Sequence, residues 1–283
     1  MIKTNYHTHT NFCDGKNRAE EMLLSAIQKK FDILGFSGHS MFPFASDWHI
    51  SSKEHQIYCH EINSLKEKYK NQLDVYLGFE ADFIEGVCCP SFENYKNFSP
   101  DFLIGAVHYV PCQKGFFEAD GSFEETRKKI GELFKGNVKK AVQSYFEAQR
   151  QMLKKGDFTF MAHPDLIRKQ NSPLNKTGPL FSEKESWYKK EVDLTVKEIA
   201  RSGVTVEVNT GGMSRGYLDT PYPSPYFLEK LFQNKVAVTL NSDSHQCDTL
   251  DSYFDQTLLY IKKAGYKEIT FFKSGHLENQ KID

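Results

Sequence analysis

Residues 32–40 read DILGFSGHS, a short apolar run closed by small and polar groups and an imidazole. Six other stretches share this form: IKTNYHTHT (2–10), DVYLGFEADF (74–83), DFLIGAVHYV (101–110), FTFMAHPDLI (158–167), VTVEVNTGG (204–212) and VAVTLNSDSH (236–245). Runs of this length with nearly continuous apolar interiors suit strands buried on both faces. Between them, apolar residues fall at helical spacing over Ala19–Lys30, His55–Lys70, Thr126–Lys154, Lys184–Ser202, Pro225–Gln233 and Asp251–Ala264. Ser182 with Glu185 three residues later is the sequence pattern of a capping box. Strand and helix in alternation imply parallel strands joined by crossover helices. Seven such strands predict a closed α/β barrel, (β/α)7, formed by one domain spanning residues 1–283, with a helical insertion at about 112–154. Leu166–Lys184, with Pro173, Gly178 and Pro179, reads as a long loop of the kind that forms lids or binding loops.

The polar ends of the strands carry the chemistry. His7 and His9 follow the first, His39 ends the second, and Glu80, His108 and His163 belong to the next three; Asp243 and His245 follow the seventh. In a parallel barrel these ends meet on one face, where such folds place their sites. Residues two apart on a strand point the same way, so His7 with His9, and Asp243 with His245, can act together. Asp14 lies near enough in sequence to reach the same rim. Imidazoles and carboxylates without a thiolate suit Zn, Mn or Fe, and nine ligands exceed the needs of one ion. Two to three divalent ions, each with an open position, form an array suited to phosphoryl transfer. Lone histidines such as His49, His55, His60 and His276 read instead as ordinary core or surface side chains.

Bulk properties narrow the partner. The chain has 283 residues, a formal charge of −1 and no long basic run, which argues against duplex nucleic acid or an anionic membrane and favours a small soluble substrate. No apolar stretch approaches a transmembrane span and no secretory leader is seen, so a cytoplasmic location is expected. Six cysteines, with Cys88 and Cys89 adjacent and no CxxC pair, read as reduced thiols. Composition says nothing about oligomeric state.

HTHT with Asp14, GFSGHS with His39, GFEADF with Glu80, GAVHYV with His108, AHPD with His163 and NSDSH with Asp243 and His245 occur in an order that resembles the polymerase and histidinol phosphatase (PHP) family, over nearly the whole chain. The resemblance implies a distorted, TIM-like barrel of seven βα units with a trinuclear centre at the carboxyl ends of the strands. It implies His7, His9, Glu80 and Asp243 at one metal, with Glu80 bridging; Asp14, His39 and His245 at a second; and Glu80, His108 and His163 at a third. Many members carry His where this chain has Asp14. Within the family, GFSGHS, the insertion after the fourth strand and AHPDLIRK are most similar to the histidinol-phosphate phosphatases. That subfamily implies hydrolysis of L-histidinol phosphate in histidine biosynthesis, by attack of a metal-bound hydroxide.

Arg168 and Arg215, two of six arginines, lie just beyond strand ends and are expected to clamp the phosphate, since a guanidinium donates two parallel hydrogen bonds. Asp243 or His245 is expected to relay the proton of the attacking water. The loop MFPFASDWHISS offers Asp47 for the substrate amine and Phe42, Phe44, Trp48 and His49 for its imidazole, or as a roof to the barrel. A phosphodiesterase or exonuclease, a protein-tyrosine phosphatase of the same family, and a catalytically silent metal-binding protein are the competing readings.

Overall fold

The computed structural model describes residues 1–112 and 115–282. Seven strands form one parallel sheet in chain order: β1 (Thr4–Asn5), β2 (Ile33–Ser40), β3 (Asp74–Asp82), β4 (Phe102–Ala106), β5 (Phe160–Met161), β6 (Thr205–Asn209) and β7 (Val238–Asn241). β2 is buried along its whole length, as its two apolar faces require. Its register with β3 runs from Ile33 opposite Asp74 to Ser40 opposite Ala81, which sets His39 beside Glu80. An isolated parallel bridge between Thr8 and Ser244, with His9 N donating to Ser244 O at 2.8 Å and Ser244 N to His7 O at 3.1 Å, brings the first and seventh strand ends together.

The helices fall where the apolar spacing places them: α1 (Ala19–Gln28), α2 (His55–Tyr69), α3 (Phe123–Phe134), α4 (Val138–Lys155), α5 (Ser186–Ser202), α6 (Pro225–Gln233) and α7 (Phe254–Lys263). Ser122 and Asn137 accept from the backbone N–H groups of Glu125 and Lys140, capping α3 and α4. Gly203, at φ +73°, ends α5 in the left-handed conformation. The expected capping box at Ser182 does not form. α5 starts later, with Glu185 as its N-cap, and Ser182 Oγ accepts from Lys184 N in a local turn.

Two hairpins are additions to the expected alternation. Tyr109–Cys112 pairs antiparallel with Gly115–Glu118 immediately after β4, so the region read as purely helical opens with strands. Glu268–Lys273 pairs with His276–Lys281 through a turn in which Ser274 and Gly275 both have positive φ, as a tight hairpin requires. Phe271 and Phe272 of this second hairpin join Tyr6, Tyr76, Phe102 and Phe160 in a separate apolar cluster. Tyr6 donates to Phe272 O at 2.6 Å and accepts from Phe272 N at 2.8 Å. No helix of the described residues is long and apolar enough to cross a membrane.

Phe102 packs over glycines of two neighbouring strands: a Cβ on Gly78 would sit 2.5 Å from its ring and one on Gly35 2.7 Å. Gly78→Ala is expected to overpack this contact and cost about 1–3 kcal/mol, a fall of several degrees in melting temperature. An unchanged Tm for that variant would show that the ring relaxes freely.

Candidate active site

The carboxyl end of each strand presents a polar side chain to one point. Glu80, with its side chain fully buried, lies at the centre: His7 Nε2 is 3.0 Å from Oε2, His9 Nε2 3.6 Å and His39 Nδ1 2.7 Å, while His163 Nε2 and His108 Nε2 are 2.9 and 3.4 Å from Oε1. Asp243 Oδ1 faces His9 at 3.3 Å and His7 at 3.6 Å. Asp14 spans His39 at 3.6 Å and His245 at 3.2 Å. All nine residues expected from the sequence therefore converge. Their closest groupings are His9, Asp14, His39 and His245; His7, His163 and Asp243; His7, His9 and Glu80; and His39, Glu80 and His108. His39 thus takes part in two groups, and His163 lies with His7 and Asp243 as well as against Glu80.

Charge is finely divided in this cluster. Burial alone would raise the pKa of Glu80, but His7, His39 and His108 hold it well below the usual carboxylate range. Asp243 is likewise kept ionised against its burial by Arg215 and His7. His7 is driven up, despite burial, by Glu207, Glu80 and Asp243, whereas burial together with His245 and His39 drives His9 down.

The donor set fits divalent cations. His7 Nε2, His9 Nε2, His39 Nδ1 and Glu80 Oε2 are buried and make no hydrogen bond among the described residues although they face one another. Each such buried polar atom left unsatisfied costs about 1–3 kcal/mol, which a shared cation would offset. Cys13 Sγ lies 3.6 Å from His9 Nδ1, the nitrogen turned away from Glu80, donates to Thr10 O at 3.4 Å and belongs to none of these groupings. The set is one of nitrogen and oxygen, the preference of Zn, Mn or Fe sites.

The cluster floors a cavity of ≈450 Å³. Arg215 lines it, donating from Nη2 to Asp243 Oδ2 at 2.8 Å and from Nη1 to His245 Nδ1 at 3.2 Å. The Arg215–Asp243 contact needs Gly211 between them, because a Cβ there would meet both side chains at 2.6–2.7 Å. The Gly211 amide is itself taken by Asn209 Oδ1 at 2.8 Å and does not face the cavity.

Residues 5–211 match the PHP domain family. The chain belongs to the PHP-domain family. Among its relatives, a probable histidinol-phosphatase of Deinococcus radiodurans is 24% identical over 268 residues, 94% of this chain and 95% of that protein. The histidinol-phosphatase of Bacillus subtilis is 24% identical over 262 residues, 87% of this chain and 94% of that protein. The crystal structure of histidinol phosphate phosphatase from Lactococcus lactis, complexed with zinc, L-histidinol and phosphate, is 19% identical and shares the fold with a TM-score of 0.72 over 98% of this chain and 99% of that one.

In this PHP-domain site the hydrogen-bonded support comes from residues the motifs do not announce. Asp82, two residues beyond Glu80 on β3, accepts from His108 Nδ1 at 2.9 Å and His49 Nε2 at 2.7 Å. Glu207 on β6 accepts from His7 Nδ1 at 2.9 Å, His163 N at 2.9 Å, Asn209 Nδ2 at 2.7 Å and Asn241 Nδ2 at 3.0 Å. Such partners fix the tautomer and aim of a ligating imidazole. The signal for both was strand parity: Glu80 with Asp82, and Glu207 with Asn209, are i, i+2 pairs.

Two expected substrate contacts lie elsewhere. Asp47 is exposed and is not part of the cavity wall. In the same loop Phe42 packs against His55 and Phe98 in the core, so of its aromatics Trp48 alone lines the cavity. Arg168 is buried in the segment Leu166–Asn171 and also stays outside the cavity wall. Its Nε donates to Glu183 at 3.0 Å, Nη1 to Pro221 O at 3.1 Å and Nη2 to Thr220 Oγ1 at 2.9 Å. Asp165, which burial pushes up to about 6 against the pull of Arg168, lies 3.7 Å from Nη1 and accepts from Ser224 N. The long loop is thus pinned to its neighbours. Arg168→Gln leaves Asp165 buried without its cation, so it is expected to cost about 3–5 kcal/mol and lower Tm by roughly 10 °C. A variant with unchanged Tm but a raised KM would restore Arg168 to the phosphate.

Proposed function

We propose that this PHP-domain chain is a metal-dependent phosphomonoesterase that hydrolyses L-histidinol phosphate to L-histidinol and phosphate, acting in the cytoplasm in histidine biosynthesis. The observation that carries the reading is the convergence of nine nitrogen and oxygen ligand residues at one point, six of them lining one cavity that has an arginine in its wall. The relatives named histidinol-phosphatase, matched along almost their whole length, supply the substrate. His7, His9, Asp14, His39, Glu80, His108, His163, Asp243 and His245 would hold two to three divalent ions of Zn, Mn or Fe. Bound there, such ions supply an activated water and neutralise the phosphate oxygens.

The chain's own groups do the rest. Arg215 lies against Asp243 and offers its remaining N–H groups to the phosphate. Asp243, which accepts from Arg215 and faces His9 and His245, or His245 itself would take up the proton released by the attacking water. His245, the most exposed imidazole of the cluster, with 20% of its side chain accessible, passes that proton outward or returns it to the leaving alkoxide. A cavity of this volume accommodates a small phosphate monoester better than a polynucleotide.

The test is phosphate release by enzyme purified with Mn or Zn and of measured metal content, from L-histidinol phosphate, p-nitrophenyl phosphate, a phosphotyrosyl peptide and a phosphodiester. Preference for histidinol phosphate is expected; two to three ions per chain with preference for the peptide or the diester would overturn the assignment. Arg215→Ala is expected to lose roughly 10- to 100-fold in kcat/KM, the worth of a charge-assisted hydrogen bond, while keeping its metal. Wild-type kinetics in that variant would remove Arg215 from the phosphate site.

A further inference from the structure

His49 is buried, stands outside the cavity wall and belongs to no grouping of ligand atoms among the described residues. A buried imidazole needs a polar partner for each nitrogen, and His49 has both. Its Nε2 lies 2.7 Å from Asp82 Oδ2. Its Nδ1 lies 2.7 Å from Ser46 Oγ and 3.4 Å from the backbone N–H of the same serine.

That amide can only donate, and it sets the direction of every other hydrogen bond in the group. Nδ1 of His49 is the acceptor, so Nε2 carries the proton and donates to Asp82. On its other oxygen Asp82 accepts from His108 Nδ1 at 2.9 Å and from His108 N at 3.3 Å. With its proton committed there, His108 turns the lone pair of Nε2 toward Glu80, 3.4 Å away. At the outer end Tyr109 Oη donates to Ser46 Oγ at 3.3 Å, which leaves the serine hydroxyl proton for His49. Protons therefore converge on Asp82 from two rings, one beside the cluster and one in the loop of residues 41–50.

The same ring fastens that loop. Trp48 stacks on His49 at 3.8 Å and packs edge-on against His39 at 4.7 Å and His108 at 5.3 Å. One residue beyond His49, Ile50 N donates to His39 O at 2.9 Å. The loop that brings Trp48 to the cavity is thus tied to two members of the ligand cluster by its backbone and its rings.

We propose that His49 is a positioning residue: through Asp82 it fixes the tautomer and aim of His108, and by the same contact it locks the Trp48 loop to the ligand cluster. The inference rests on the reading of that cluster as a metal site, and not on the identity of the substrate.

The experiment measures Zn affinity by chelator competition in the wild type, His49→Gln and His49→Phe. The glutamine amide can still donate to Asp82 but gives up the ring; phenylalanine keeps a ring against Trp48 but donates nothing. His49→Phe is expected to bind its most loosely held ion about 10- to 100-fold more weakly, the usual effect of losing an outer partner of a ligating histidine, and His49→Gln to stay close to the wild type. A ring that merely fills space beneath Trp48 predicts the opposite order. A glutamine variant no tighter than the phenylalanine one, or a phenylalanine variant as tight as the wild type, would overturn the proposal. A second measurement needs no variant to fold: nitrogen NMR of the Zn-loaded wild type with labelled histidine should find His49 protonated at Nε2 and His108 at Nδ1, and the opposite tautomer at either would overturn it too. Wild type that binds no Zn would sink this proposal and the metal reading together, whereas Zn binding with any of the other adverse results would sink this proposal alone.

Discussion

One buried carboxylate organises this molecule. Glu80 has five imidazoles within 3.6 Å and no exposed side-chain surface. Removing a carboxylate from water costs several kcal/mol unless opposite charge and hydrogen bonds return it. The barrel is the arrangement that supplies them. Parallel register sets His39 beside Glu80, and the turn after each neighbouring strand delivers another ring to the same point. β1 and β5 have only two paired residues each, so long strands are not what holds the sheet in shape at those positions. Their ends are drawn in by His7, His9 and His163.

Around this centre lies a second layer that is also acidic. Asp82 and Glu207 each receive an N–H from a ring that turns its other nitrogen toward Glu80. Each therefore settles which way an imidazole points before any ion arrives. Glu207 further binds Asn209 and Asn241, which sit side by side in register on β6 and β7. The result is a polar core in which His7 Nε2, His9 Nε2, His39 Nδ1, Glu80 Oε2 and His163 Nδ1 stay buried without a hydrogen-bond partner among the described residues.

Much of this was legible in the sequence, because it depends on local patterns. Apolar runs ending in His, Asp or Glu located the strands and the face of the site, and helical spacing placed α6 on its observed residues. What remained hidden depends on direction. Arg168 follows His163 by five residues, and nothing in the spacing tells whether its guanidinium turns to the cavity or to Glu183 and Thr220; tertiary packing decides. Asp82 and Glu207 were readable by parity but are overshadowed by the ligands beside them. The hairpin after β4, which carries Glu118 to the cavity wall, was obscured by the helical look of the following residues. The Ser274–Gly275 turn of the second hairpin is a recognisable signal, though its packing partners lie at the far end of the chain.

Those partners have a temporal consequence. Tyr6 exchanges two hydrogen bonds with Phe272, a separation of 266 residues, and the bridge from Thr8 to Ser244 is almost as distant in sequence. Closing contacts of such span carries a large entropic cost before any packing rewards it, which slows folding. On a ribosome the HxH strand emerges early, yet its neighbours on one side and the ring that seals its base are synthesised long afterwards. The cluster of imidazoles and carboxylates therefore cannot be completed until His245 has left the exit tunnel, and until then His7 and His9, just beyond β1, are available to any competing ion.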